Sequence, residues 1–360
     1  MIRLSEIKLS LSDAENPATP LQAAAAGILH LTPADILRVA VFKRSFDARK
    51  ADLMAVYIID VEVAPTLATA CAALPPEGAE LARGGPSLRS PIPTLEATLL
   101  AKFAGNPHIQ PTPDMSWHAP VQAPAQLPQR PVVVGFGPCG IFAALALAQM
   151  GFKPIVLERG KTVRERTRDT WGLWRKKVLN PESNVQFGEG GAGTFSDGKL
   201  YSQIKDPRHL GRKVMHEFVK AGAPPEILYE AHPHIGTFKL VKVVENMREQ
   251  ITALGGEIRF EQRVTDVLIE DGHLRGLTVL NQASGQSYEL AADQVVLALG
   301  HSSRDTFTML HTRGVHMQAK PFSIGFRIEH PQGLIDRARW GRHAGHPLLG
   351  AADYKLVHHA

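Results

Sequence analysis

Only two cysteines, Cys71 and Cys139, occur in the 360 residues. They lie far apart and form no CxxC, so neither a disulfide framework nor a dithiol redox pair is indicated. Long apolar runs are missing too. No stretch reaches the roughly 18 consecutive apolar residues a membrane-spanning helix needs, the longest candidates being Ile141 to Met150 and Ala23 to Leu29. Charge of one sign is not in large excess: a net charge of +5, from 40 basic and 35 acidic residues, suits an anionic cofactor or substrate without requiring nucleic acid. No GxSxG, HExxH, GxxxxGK(S/T) or paired-cysteine zinc pattern is present, which leaves hydrolase, metalloprotease and P-loop readings without residues to carry them. Glu6, Asp13 and Glu15 precede the first apolar run, where an export signal would open with basic residues. These absences together predict a cytoplasmic protein with no membrane partner.

What is present is ordinary soluble globular composition, 44% hydrophobic and 21% charged, with length for two or three cores. Ile2, Leu4, Ile7, Leu9 and Leu11 read as one strand and Met54 to Val63 as another. A helix is expected between them, starting at Thr32-Pro33-Ala34-Asp35, which offers a capping hydroxyl, a proline at the first helical position and a carboxylate in the first turn. Seven prolines between Asn106 and Pro131 mark an extended connector and a domain boundary.

After the connector comes a short buried strand from Pro131, then Gly135-Phe-Gly137-Pro138-Cys139-Gly140, then an apolar helix, Ile141 to Met150, ended by Gly151. In such a fingerprint one glycine makes the tight turn, one lets the backbone approach a pyrophosphate and one packs helix on strand. Glu158 ends the next strand, 23 residues beyond Gly135. A carboxylate there accepts from a ribose diol and disfavours the 2'-phosphate of NADP, although the neighbouring Arg159 leaves that point open. Cys139, near a helix N-terminus, is either a reactive thiol or, on the reading preferred here, a small residue filling a variable position.

A second cluster, Gly188 to Leu200, packs five glycines, two hydroxyls, two carboxylates and Lys199 into thirteen residues. Gly190, Gly191, Gly193, Thr194, Ser196 and Asp197 let backbone and hydroxyls approach a large polar ligand, with Lys199 near a flavin edge or a substrate anion. Gly256 to Gly300 shows strand-like runs broken at Asp271-Gly272 and Ser284-Gly285, a three-stranded meander leading into a buried strand from Val295 to Leu299. There Ala298 and Gly300 would face a cofactor at the carboxyl edge of a parallel sheet.

These three segments in this order resemble the two-dinucleotide-fold flavoproteins of the glutathione-reductase and hydroxybenzoate-hydroxylase type. More narrowly, GFGPCG, GGAGTFSDGKL, HPHIGT (His232 to Thr237), LGGEIRF (Leu254 to Phe260) and KRSFDARK (Lys43 to Lys50) resemble a bacterial family of FAD-dependent dehydrogenases, over nearly the whole chain. The resemblance implies FAD, with Gly135, Gly137 and Gly140 at the pyrophosphate, Glu158 at the ribose, Val264 at the adenine through its backbone, and the 190 to 199 loop on the flavin side. It implies an α/β fold: an FAD-binding Rossmann-like parallel sheet with a β-meander crossover, plus a small N-terminal α+β domain. The expected division is 1–105 for the small domain, 106–130 for the linker and 131–360 for the FAD-binding domain, with an inserted substrate-side segment at about 200–255. Members of that family run on well past this length, so the last domain is expected to be incomplete at Ala360.

The function this predicts is an FAD-dependent oxidoreductase acting on an unidentified small molecule, with NAD(P)H a candidate diffusible electron donor. Lys199 and His234 are the candidate catalytic residues. His232-Pro233-His234 sets two imidazoles on one strand face, but no third ligand with sensible spacing appears, so no metal is expected. Two alternatives stay open. One is an NAD-dependent dehydrogenase using the single fingerprint. The other is a non-catalytic nucleotide- or RNA-binding protein whose N-terminal domain works through the basic knot around Arg44 and Arg49, the less favoured reading.

Overall fold

The computed structural model describes residues 1–49, 52–65, 94–195, 198–200, 204–321, 324–325 and 328–354. Cys71, Ser196 and Asp197 lie outside them. By its contacts the chain divides into two units, one of residues 1–114, 229–231 and 324–360, the other of residues 115–228 and 232–323.

In the first unit the opening alternation becomes β1 (Ile2–Ser10). Ile2 and Leu4 are out of phase with Ile7 and Leu9. A bulge between Leu4 and Ile7, with Glu6 at φ 59°, re-phases the strand so that all four are buried. Leu11 is not the end of that strand: the Ser10 hydroxyl accepts from the Asp13 amide and starts α1 (Leu11–Glu15). The helix expected from Thr32 lies earlier, as α2 (Ala18–Leu29), which buries Leu21, Ala25, Ala26 and Leu29. The Thr32 amide and hydroxyl do reach the Asp35 carboxylate, at 3.0 and 2.6 Å, yet they close only one 3-10 turn before β2 (Ile36–Asp47). Strand pairing outweighs the cap, because the Val39 and Val41 stretch pairs along its length with β3 (Met54–Val63). With α3 (Leu95–Lys102) and β4 (Ile109–Pro111) this makes an antiparallel sheet of order β2-β3-β1-β4. Residues 324–360, which the sequence groups with the dinucleotide-binding domain, belong to this first unit. Trp340, ending the helix Gln332–Trp340, meets Phe46 edge-on at 6.4 Å, and Leu349 joins Leu11 and Leu53 in an apolar cluster.

The second unit holds β5 (Val132–Val134), α4 (Pro138–Gln149), β6 (Ile155–Leu157), α5 (Val163–Lys176), α6 (Leu210–Lys220), α7 (Thr237–Ala253), β7 (Glu257–Arg259), β8 (Gln262–Glu270), β9 (His273–Asn281), β10 (Gln286–Ala291), β11 (Val295–Leu297) and α8 (Arg304–Thr312). A parallel sheet of order β11-β5-β6-β7 is accompanied by the antiparallel meander β10-β9-β8, whose turns fall at the two expected glycines. β5 is apolar throughout because both its faces are covered. Val133 joins α4 and α7 residues in one core, and Val132 and Val134 join the meander in another.

Within the segment at about 200–255, Leu240, Val243, Val244, Met247 and Ile251 recur at helical spacing on α7 and pack in the core with Val133. One expectation is corrected here: among the described residues β11 is an edge strand, paired with β5, and Val296 and Leu297 are 36% and 43% exposed rather than buried. Among the described residues no helix is long and apolar enough to cross a membrane.

Candidate functional site

The chain leaves β5 through Gly135, at φ +99°. A Cβ here would stand 2.5 Å from the Ala298 carbonyl oxygen, and one at Gly140 would stand 1.9 Å from the Gly135 carbonyl oxygen. Strand, turn and helix approach each other too closely for any side chain at these two positions. Gly137 is different. Its backbone is extended, φ −78° and ψ −172°, and a Cβ would meet only Gly191, at an ordinary 3.6 Å. The fold accommodates a Cβ there, and Gly137 lines a cavity of about 650 Å³. Pro138 opens α4 at its first position, and no side chain caps that helix end, so its dipole and first-turn amides are available to an anion.

Of the predicted cofactor residues, Gly135, Gly137, Pro138, Cys139, Glu158, Arg159, Gly191, Gly193, Val264, Ala298 and Gly300 line this one cavity. Cys139 is an exposed free thiol. Gly140, Gly190 and Thr194 do not line it. Gly140 seats α4 against the Gly135 turn, and the Gly190 amide donates to the Phe136 carbonyl at 2.8 Å, joining the two glycine loops. Thr194 is buried, its hydroxyl 3.4 Å from Arg166 Nη1. Lys199 and His234 are not among the residues lining the cavity and bridge to each other as an antiparallel pair. Among the described residues no group of side chains could hold a metal ion.

Glu158 ends β6, 4% exposed, and its carboxylate already accepts three amides: Phe136 at 2.7 Å, Gly160 at 2.8 Å and Gly188 at 3.0 Å. It ties the fingerprint, its own strand end and the second glycine loop together. A carboxylate has about four acceptor positions, so roughly one is left for a ligand. Arg159 is likewise engaged, with Glu182 at 2.7 Å, Asp305 at 3.0 Å and the Phe187 ring beneath its guanidinium at 4.2 Å.

Sequence reasoning passed over Gln186, Phe187, Arg263, Phe307, His316 and Met317, all of which line the cavity. Only Phe187, adjoining Gly188, stood close to a recognised pattern. It also passed over a buried ionic network behind the second loop. Glu189 is fully buried, its Oε2 accepting from the Val163 amide at 2.7 Å and from Arg248 at 2.8 Å. Burial pushes its carboxyl up to about 7 against the pull of those two donors. Nearby, Arg166 is buried, Arg164 pairs with Glu245 at 2.5 Å and Lys161 with Asp169 at 3.3 Å. In the first unit Arg44 pairs with Glu230 at 3.2 Å and Arg49 with Asp47 at 2.6 Å, so these two cations of the basic knot are partnered by acids.

Comparison with known proteins bears on the same residues. Residues 1–62 match a domain of unknown function, and residues 321–360 match the family described as FAD-dependent protein, C-terminal domain-like. A protein of Clostridium beijerinckii is 41% identical over 363 residues, covering 99% of this chain and 59% of its own length, so the chain spans about three-fifths of that relative. A cobyric acid synthase of Polaromonas is 52% identical over 50 residues, 14% of this chain and 10% of its own. Among solved structures, THI4 of Thermovibrio ammonificans is 18% identical with a TM-score of 0.35, covering 52% of this chain and 64% of that one. A flavocytochrome c3 fumarate reductase is 18% identical with a TM-score of 0.33, covering 52% and 36%. The family described as Pyridine nucleotide-disulphide oxidoreductase matches residues 129–324, and with the C-terminal match it supports FAD as the cofactor. That match spans more than half of the 360 residues, and the chain belongs to the pyridine nucleotide-disulphide oxidoreductase family.

Proposed function

We propose that residues 115–323 hold FAD in the fingerprint cavity and that the protein is an FAD-dependent oxidoreductase. The observation that carries this is Gly137, a glycine the fold does not need, set on a cavity wall beside an uncapped helix N-terminus. Gly137 and the first turn of α4 would hold the pyrophosphate, Glu158 and the backbone of Val264 the adenosine, and the Gly191 to Gly193 segment would face the flavin side. FAD supplies hydride or single-electron transfer, and the chain supplies orientation, fixed dipoles and exclusion of water. This reading invokes no dithiol, and NAD(P)H is a candidate diffusible electron donor. Lys199 and His234 remain candidates for the substrate side.

The visible spectrum of the purified chain, with its denatured supernatant analysed for FAD, FMN and nicotinamides, tests the reading. Yellow protein releasing FAD is the expected result. Colourless protein that takes up no added FAD but binds a reduced nicotinamide would replace this reading with an NAD-dependent one.

A further inference from the structure

Every nitrogen of the Arg166 guanidinium ends on one loop. The residue projects from α5, 0% exposed, and its Nε donates to the Asn184 carbonyl, its Nη2 to the Val185 carbonyl and its Nη1 to the Glu189 carbonyl, each at 2.7 Å. Nη1 also lies 3.4 Å from the Thr194 hydroxyl, and the guanidinium carbon sits 4.7 Å from the centre of the Phe195 ring. Gly188 is at φ +118°, and a Cβ there would stand 2.4 Å from Arg166 Cδ, so the loop is wrapped around the side chain. Burial lowers the pKa of the guanidinium to about 10, with Glu158 and Glu189 opposing the shift. Burying a cation is costly unless its donors are satisfied, and here each guanidinium nitrogen has a carbonyl to meet that cost. Arg166 itself does not line the cavity, whereas the loop it holds contributes Gln186, Phe187, Gly188, Gly191 and Gly193.

We propose that Arg166 is the positioning residue of this second cavity wall: its planar fork sets the backbone of residues 184–194 and so holds Gly191 against Gly137. The consequence for FAD rests on the reading above; the loop geometry does not. Lysine cannot replace it, because one ammonium on a flexible stem does not span three carbonyls arranged as a fork.

The test uses R166K and R166A in the full chain, with two readouts. Hydrogen exchange of the 185–195 amides, measured without cofactor, is expected to quicken on the order of tenfold in R166K while the α4 amides stay as in the parent. The dissociation constant for FAD, read from flavin fluorescence, is expected to rise on the order of tenfold. Millimolar guanidinium chloride should restore FAD binding to R166A, and equal sodium chloride should not, whereas a merely destabilised protein would be weakened further by guanidinium. R166K keeps the test alive if R166A does not fold. Parent-like exchange and affinity in R166K overturn the proposal, as does a loss in R166A that guanidinium does not restore while R166K behaves as the parent. If the parent takes up no FAD yet the loop loosens in R166K, the positioning role stands and the FAD reading falls.

Discussion

The two glycine loops that meet at the cavity are built in opposite ways. The 135–140 loop is fixed by sterics: backbone against backbone, with Gly135 and Gly140 in spaces that admit no side chain. The 188–193 loop is fixed by a buried arginine, and the Glu158 carboxylate reaches both loops through the Phe136 and Gly188 amides. A steric wall is written in a short local pattern. The second wall shows its glycines locally, but the arginine that holds it, 22 residues upstream of Gly188, carries no local mark.

The largest effect expected from breaking that contrast is at Gly140. Gly140→Ala puts a methyl into the Gly135 carbonyl and should cost more than about 4 kcal/mol or prevent folding, seen as loss of a cooperative urea transition; parent-like stability would mean that the turn is not sterically locked. Gly137→Val should leave that transition within about 1 kcal/mol of the parent, because its backbone conformation is open to any residue, and should weaken FAD binding on the order of a hundredfold or more. Retained yellow colour would remove the fingerprint argument.

Glu189 sharpens the comparison through pH. Its carboxyl stands at about 7 in the folded protein and near 4.5 as the reference value, raised by burial and by Glu245 and Glu158, and lowered by the Val163 amide and Arg248. Between those values the folded chain holds a proton that the unfolded chain has lost. Stability therefore falls as pH rises from about 4.5 to about 7 and is level above, by on the order of 3 kcal/mol at most. Glu189→Gln should flatten that slope in urea titrations across the window, and an unchanged slope would assign it to other groups. The smallest effect is expected at Lys199 and His234. Alanine at either should alter the FAD dissociation constant by less than about twofold, since neither lines the cavity. A fall in turnover with that constant unchanged would support them as substrate-side residues.

Legibility tracked the range of the interactions. β5, α4, β6 and the meander turns were readable because period, glycine spacing and turn residues act over a few positions. The Thr32 to Asp35 cap misled for the same reason: the local signal was real and formed its hydrogen bonds, but the pairing of β2 with β3 made the next residues a strand. Residues 324–360 carried no pattern announcing Phe46 and Leu11 as their neighbours.

By itself the sequence determined the strand-turn-helix, the glycine on the cavity wall and the carboxylate at the end of β6, since each depends on backbone sterics and short spacing. Only the tertiary structure decided that Glu158 is held by three amides, that β11 is an edge strand among the described residues, that Lys199 and His234 do not line the cavity, and that Arg166 shapes its second wall. Those outcomes depend on which distant groups arrive to satisfy a buried charge or carbonyl, and a buried polar group takes whichever partner the completed fold brings within reach.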